Sequence, residues 1–105
     1  MSEIGLSRIA KLLELVTTME EDLGLDRLSA DERMMIYAIS SIWSESRDIV
    51  RSAELKQHRL CRNFSNPTFY RTLKALLDKG YVARVGPRKT GGYQLEVINL
   101  RQDLI

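Results

Sequence analysis

Ser65-Asn66-Pro67-Thr68-Phe69-Tyr70-Arg71-Thr72-Leu73-Lys74-Ala75-Leu76-Leu77-Asp78-Lys79-Gly80 is the stretch whose reading decides the fold. Asn63-Phe64-Ser65-Asn66 has turn chemistry, Ser65 or Asn66 can cap a helix, and Pro67 suits a first helical turn because its missing N–H is an orphan there anyway. Gly80 ends the run. At 100° per residue, Phe69, Leu73, Leu76 and Leu77 gather on one side and predict the buried face. The other side carries Pro67, Thr68, Arg71, Lys74, Ala75 and Asp78, which are short side chains with two long cations among them. A helix with so uncluttered a face can enter a groove about 12 Å wide.

The flanking segments predict the partners of this helix. Ser29-Ala30-Asp31-Glu32 is a capping-box pattern before a helix from Arg33 to Trp43. That helix is apolar nearly all round, which predicts a central place in the core with Trp43 as an anchor. Residues 47–51 hold Ile49-Val50, enough for one short strand. Ser52-Ala53-Glu54-Leu55 reads as an N-cap with an acid in the first turn, opening a short helix to about Leu60. After Gly80, Tyr81–Val85 and the alternating Tyr93–Val97 read as two strands joined by a flexible basic loop, Gly86–Gly92, with Arg88 and Lys89 at its tip.

Upstream, residues 6–23 read as an amphipathic helix ended by Gly24. Ile9, Leu12, Val16, Met19 and Leu23 recur at spacings of three and four, and Leu6 and Leu13 widen the stripe. The stripe exceeds what one short helix needs internally, so self-association is expected; packing within the chain's own core is the alternative.

The fold expected is mainly α with a small β-hairpin wing (α+β): a winged helix-turn-helix preceded by an amphipathic N-terminal helix. Its parts are an N-terminal dimerisation helix over 1–28, the winged domain over 29–98 and a tail over 99–105.

Composition bounds the function. The chain has 105 residues, 44% of them hydrophobic, which supports one domain and one core. No apolar run approaches the ~20 residues of a membrane span, and the start, with Glu3, lacks a secretory pattern. One cysteine, Cys61, points to a reducing compartment, and one histidine, His58, argues against a His/Cys metal site. Both read as bystanders near the end of a short helix, although Arg59 and Arg62 leave a redox role for the thiol open. Ser, His and Asp residues lack nucleophile-and-base spacing, so neither an enzyme nor a cofactor is expected. The expectation is a cytoplasmic protein without a membrane partner.

The net charge of +2 hides an asymmetry. Residues 1–46 carry four basic and nine acidic residues, residues 47–105 twelve basic and five acidic. A basic half points to a polyanion. On the 66–79 helix, Arg71 can pair bidentately with guanine, while Asn66 and Thr68, beside Pro67 at the helix start, can reach base edges or phosphate. Lys74 suits backbone positioning, Tyr70 can offer its hydroxyl to a phosphate, and Asp78 is expected beyond the contact. Arg88 and Lys89 in the 86–92 loop suit a minor groove. The partner expected is double-stranded DNA, read by a homodimer. The runner-up is a winged helix that docks an acidic protein and binds no DNA.

Residues 66–82, Asn-Pro-Thr-Phe-Tyr-Arg-Thr-Leu-Lys-Ala-Leu-Leu-Asp-Lys-Gly-Tyr-Val, resemble the recognition helix and first wing strand of MarR-type transcriptional regulators. Thr68, Arg71, Leu73, Leu76 and Lys79-Gly80-Tyr81-Val82 carry the likeness, which covers about residues 29–98. The Tyr70–Lys74 stretch is also similar to PadR-like and Fur-like helices, although metal sensing of the Fur type does not fit one His and one Cys. The wing lacks the MarR acid-then-arginine pattern, a place Arg88 can fill. The resemblance implies a dimeric transcription regulator and leaves operator, effector and sign of regulation open.

Overall fold

Capping residues and glycines set most element boundaries in this protein. The computed structural model describes residues 3–46, 49–87 and 91–96. They divide into two compact units, the first ending at Arg27 and the second beginning at Leu28.

In the first unit, α1 runs Glu3–Leu23 and is followed by a 3-10 turn, Leu25–Arg27. Gly24 takes φ 77°, the left-handed conformation that closes a helix, and its carbonyl accepts a bond from Arg27 Nε at 3.0 Å.

The second unit opens with the capping box as the sequence predicts. Ser29 Oγ accepts from the Glu32 amide at 3.1 Å, and Glu32 Oε1 accepts from the Ser29 amide at 2.8 Å. From there α2 runs Ala30–Ser46, and α3 (Ser52–Gln57), α4 (Asn66–Asp78), β1 (Val82–Val85) and β2 (Gly92–Leu95) follow. The unit is thus mainly helical with a two-stranded antiparallel hairpin, in which Arg84 faces Tyr93 and Val85 faces Gly92. The expected strand at 49–50 shrinks to one bridge, in which Val50 and Tyr93 exchange N–H···O bonds of 2.8 Å. The core is built from Met35, Ile36, Ala38 and Ile39 of α2, Leu55 of α3, Phe69, Leu73 and Leu76 of α4, and Val50, Tyr81 and Val82. Both α4 and the hairpin pack on α2, and β1 also packs on α4.

Three expectations need correction. Trp43 is 39% exposed and is not a buried core anchor, because burial along α2 is complete only as far as Ile39 and fades beyond it. An all-round apolar helix does not reveal which turns overhang the core. Ser52 is not the cap of α3: Glu54 Oε1 accepts from the Arg51 amide at 3.2 Å, so Arg51 holds the N-cap position one residue earlier. That helix also stops at Gln57, before Leu60, since His58 turns extended and its Nδ1 accepts the Leu60 amide at 3.1 Å. Val97 and residues 98–105 lie outside the described residues. Among those described, no helix is long and apolar enough to cross a membrane.

Candidate nucleic-acid interface

The helix at 66–78 is aimed by both of its ends. Ser65 is its cap, with Oγ accepting from the Thr68 amide at 3.3 Å, which leaves Asn66 and Pro67 as the exposed first residues. Gly80, at φ 82°, closes the other end. Inward, Phe69, Thr72, Leu73 and Leu76 are buried. Thr72 is the residue the apolar reading omitted, because a polar side chain gives no hydrophobic signal even where it sits on the core face.

Outward lie Asn66, Pro67, Tyr70, Arg71 and Lys74, all exposed, with Thr68 half-buried between them. The expected site residues of this helix therefore do share one accessible surface. Ser65 Oγ donates to Thr68 Oγ1 at 2.9 Å, and Arg71 Nη2 donates to the same oxygen at 3.3 Å. This chain draws the guanidinium toward the helix start while leaving four of its five N–H donors for another acceptor. The positive end of the helix dipole lies at the same end and favours an anion there, although Pro67 has no N–H and the Thr68 and Phe69 amides are already bonded to Ser65.

Tyr70 is 49% exposed and meets Phe69 edge-on, with centroids 5.2 Å apart. Lys56 of α3 places its ammonium 4.4 Å from the Tyr70 ring. The ring thereby packs while α3 contributes a cation to the same surface. Lys74 is paired: its Nζ lies 3.0 Å from Asp78 Oδ2, at i and i+4. With both side chains mostly exposed, that pair is worth little and opens readily for a phosphate.

The wing tip residues Arg88 and Lys89 lie outside the described residues. The base of the wing shows two cations that charge counting had not singled out. Arg51, at the α3 cap, and Arg84, on β1, line one cleft of about 240 Å³ with Ser52, Pro87 and Tyr93. Arg84 stands 5.6 Å over the Tyr93 ring. The signal was there in the strand register, which puts Arg84 opposite Tyr93 as soon as the hairpin is drawn.

Behind this surface sits an ion pair that spans 47 residues of chain. Lys79 Nζ donates to Glu32 Oε2 at 2.8 Å and to Oε1 at 3.0 Å, joining the end of α4 to the capping box of α2. Burial pushes the Glu32 carboxyl up, but the hydrogen bonds from Lys79 and Ser29 and the Lys79 charge outweigh it and hold the group below its ordinary value. Cys61 is the opposite case: it is 1% exposed, and burial pushes its thiol up to about 11. Arg59 and Arg62 do not activate it, so the redox role left open by the sequence is removed. Among the described residues no group of three or more His, Cys, Asp or Glu side chains is placed to hold a metal ion. No protein-family model matches the chain, and no curated protein or solved structure matches it.

Proposed function

We propose that this protein binds double-stranded DNA sequence-specifically and acts as a transcriptional regulator at the nucleoid, with α4 in the major groove and the 86–92 wing at the adjoining minor groove. The observation that carries the reading is the outward face of α4. Apart from Tyr70 and the distal Asp78, its exposed residues after the cap are short or cationic, and Arg71 is held by Thr68 at the end of the helix that leads into a groove. Tyrosine and arginine also anchor protein interfaces, so what favours DNA is the Thr68–Arg71 pair at the helix start, which base reading uses and protein docking does not require. Arg71 is the base reader; Thr68, Asn66 and Tyr70 contact the backbone or base edges; and Lys74, Lys56, Arg51 and Arg84 position the phosphates. The resemblance of residues 66–82 to MarR-type helices agrees with this assignment.

The test is fluorescence anisotropy on random-sequence duplex, titrated across salt, followed by selection of a preferred site. Binding that weakens steeply with salt is expected, because phosphate contacts release counterions. Arg71→Ala should then lower affinity for the selected site about 10- to 100-fold and relax its preference at one base pair, while affinity for random duplex changes far less. Absence of binding at low salt would overturn the reading, and an acidic protein would become the expected partner.

A further inference from the structure

Helix α1 contains no buried residue, and eight of its large apolar side chains are 42 to 66% exposed. Most helical stability in proteins comes from packing an apolar face rather than from propensity. An exposed apolar face of this extent marks an interaction surface. Two features of the helix say what covers it.

The first is charge. The residues up to Leu13 carry Arg8 and Lys11 against one acid, Glu3, whereas the last turn carries Glu20, Glu21 and Asp22 and no basic residue. Three acids at a helix C-terminus oppose the backbone dipole, whose negative end is already there. A parallel copy would bring six acids together at one end. An antiparallel copy instead lays the positive N-terminal end, with Arg8 and Lys11, beside those acids.

The second is the shape of the stripe. With Ile9, Val16 and Leu23 at a positions and Leu12 and Met19 at d positions, the apolar surface is widest at Leu12, Leu13, Leu15 and Val16. Those four residues sit symmetrically about Glu14, which points to the opposite side of the helix. A two-fold axis passing the stripe at that level sets Ile9 against Met19 of the other copy and Leu12 against Val16. It also sets Arg8 against Asp22, because antiparallel helices bring like flanking positions face to face. Every apolar position of the central turns then finds an apolar partner.

We propose that α1 pairs with α1 of a second copy of this chain, antiparallel, about a two-fold axis at the level of residue 14. This assignment rests on the helix alone and does not depend on the DNA reading.

The experiment is disulfide trapping in the full-length chain with cysteines at Ile9 and Met19, paired with the mass in solution. Native Cys61 stays in place, since it is buried, and the unaltered chain is the control. The unaltered chain should run as a dimer at micromolar concentration. A mixture of Ile9→Cys and Met19→Cys chains should form the mixed disulfide under mild oxidation. Met19→Cys alone should not, because the two copies of that position stand about 15 Å apart along the axis at ~1.5 Å per residue, beyond the ~7 Å that a disulfide spans. Arg8→Asp should weaken the dimer about ten-fold, and Asp22→Arg on top of it should restore it. A monomer at high micromolar concentration would overturn the proposal. So would efficient self-crosslinking of Met19→Cys, which would show a parallel pair.

Discussion

Glu32 is where the stability of the second unit can be tested most sharply, because one carboxylate does two jobs. It accepts the Ser29 amide to complete the α2 cap, and it holds the Lys79 ammonium at the end of α4 through both oxygens. Replacing it by alanine removes both. The lost capping bond costs about 1 kcal/mol. The lost ion pair adds up to about 1 kcal/mol, the Lys79 side chain being 46% exposed and free to rehydrate. The expected total of about 2 kcal/mol corresponds to a fall of roughly 10 °C in Tm for a unit of this size. Lys79→Met keeps the capping box but leaves the Glu32 carboxylate, whose side chain is 8% exposed, without its counter-ion, and should cost about 1–3 kcal/mol. The double variant should cost less than the two single costs added, since the shared contact is lost only once.

Urea unfolding of the four proteins, followed by circular dichroism, measures the cycle. A coupling below about 0.3 kcal/mol would refute the reasoning that the pair ties α2 to α4. The same pair has a pH signature. The Glu32 carboxyl titrates lower when folded than when unfolded, so its contribution is fully present above the ordinary carboxylate range and is lost as pH falls through the folded value. The stability gap between the parent protein and Glu32→Gln should therefore narrow on acidification; a gap that widens would reverse the sign of the argument.

Gly92→Ala should weaken the hairpin, because a Cβ there would lie 2.6 Å from the Val50 carbonyl oxygen that receives the Tyr93 amide. Faster exchange of the Tyr93 amide, with α4 amides unchanged, is the expected result in hydrogen-exchange NMR. Cys61 should react with iodoacetamide at least ~100-fold more slowly than an unfolded control, given its burial and raised thiol value; modification at the control rate would show that the site opens freely. Phe69→Ala should cost about 3–5 kcal/mol and so unfold much of the population, since the ring is 1% exposed in the middle of the α4 core face.

What the sequence discloses here is whatever acts over three or four residues. The Ser29/Glu32 box, the cap, proline and glycine of α4, and its apolar face are all local, and all stand where their spacing puts them. Trp43 lies exposed where the pattern predicts burial, because an apolar pattern without a polar side carries no direction. Arg51 became the cap of α3 through the Glu54 carboxylate, a choice between neighbours that differ by a few tenths of a kcal/mol. In the sequence Lys79 shows as the residue before a terminal glycine and as part of the MarR likeness, with no sign of an ion-pair role. Its role depends on a carboxylate 47 residues earlier, and no periodicity reports such a pairing. The candidate interface divides the same way. Thr68 and Arg71 are neighbours on one helix and were legible, whereas Arg51 and Arg84 join a surface only after the hairpin folds back beside α3.

One consequence links the core to the surface. The residues proposed to face DNA alternate along α4 with those that build the core, so Phe69 and Leu73 set the direction in which Thr68, Tyr70 and Arg71 point. The Lys79–Glu32 pair fixes the far end of the same helix against α2. A rotation of α4 by one residue toward the place Thr72 now holds would carry Arg71 through 100° and bury it, at a cost no single phosphate contact repays. On the proposed reading, specificity would thus be set first by the helix's packing. Substitutions at Glu32 or Lys79 should therefore alter site preference as well as stability, although neither residue lies on the proposed contact face.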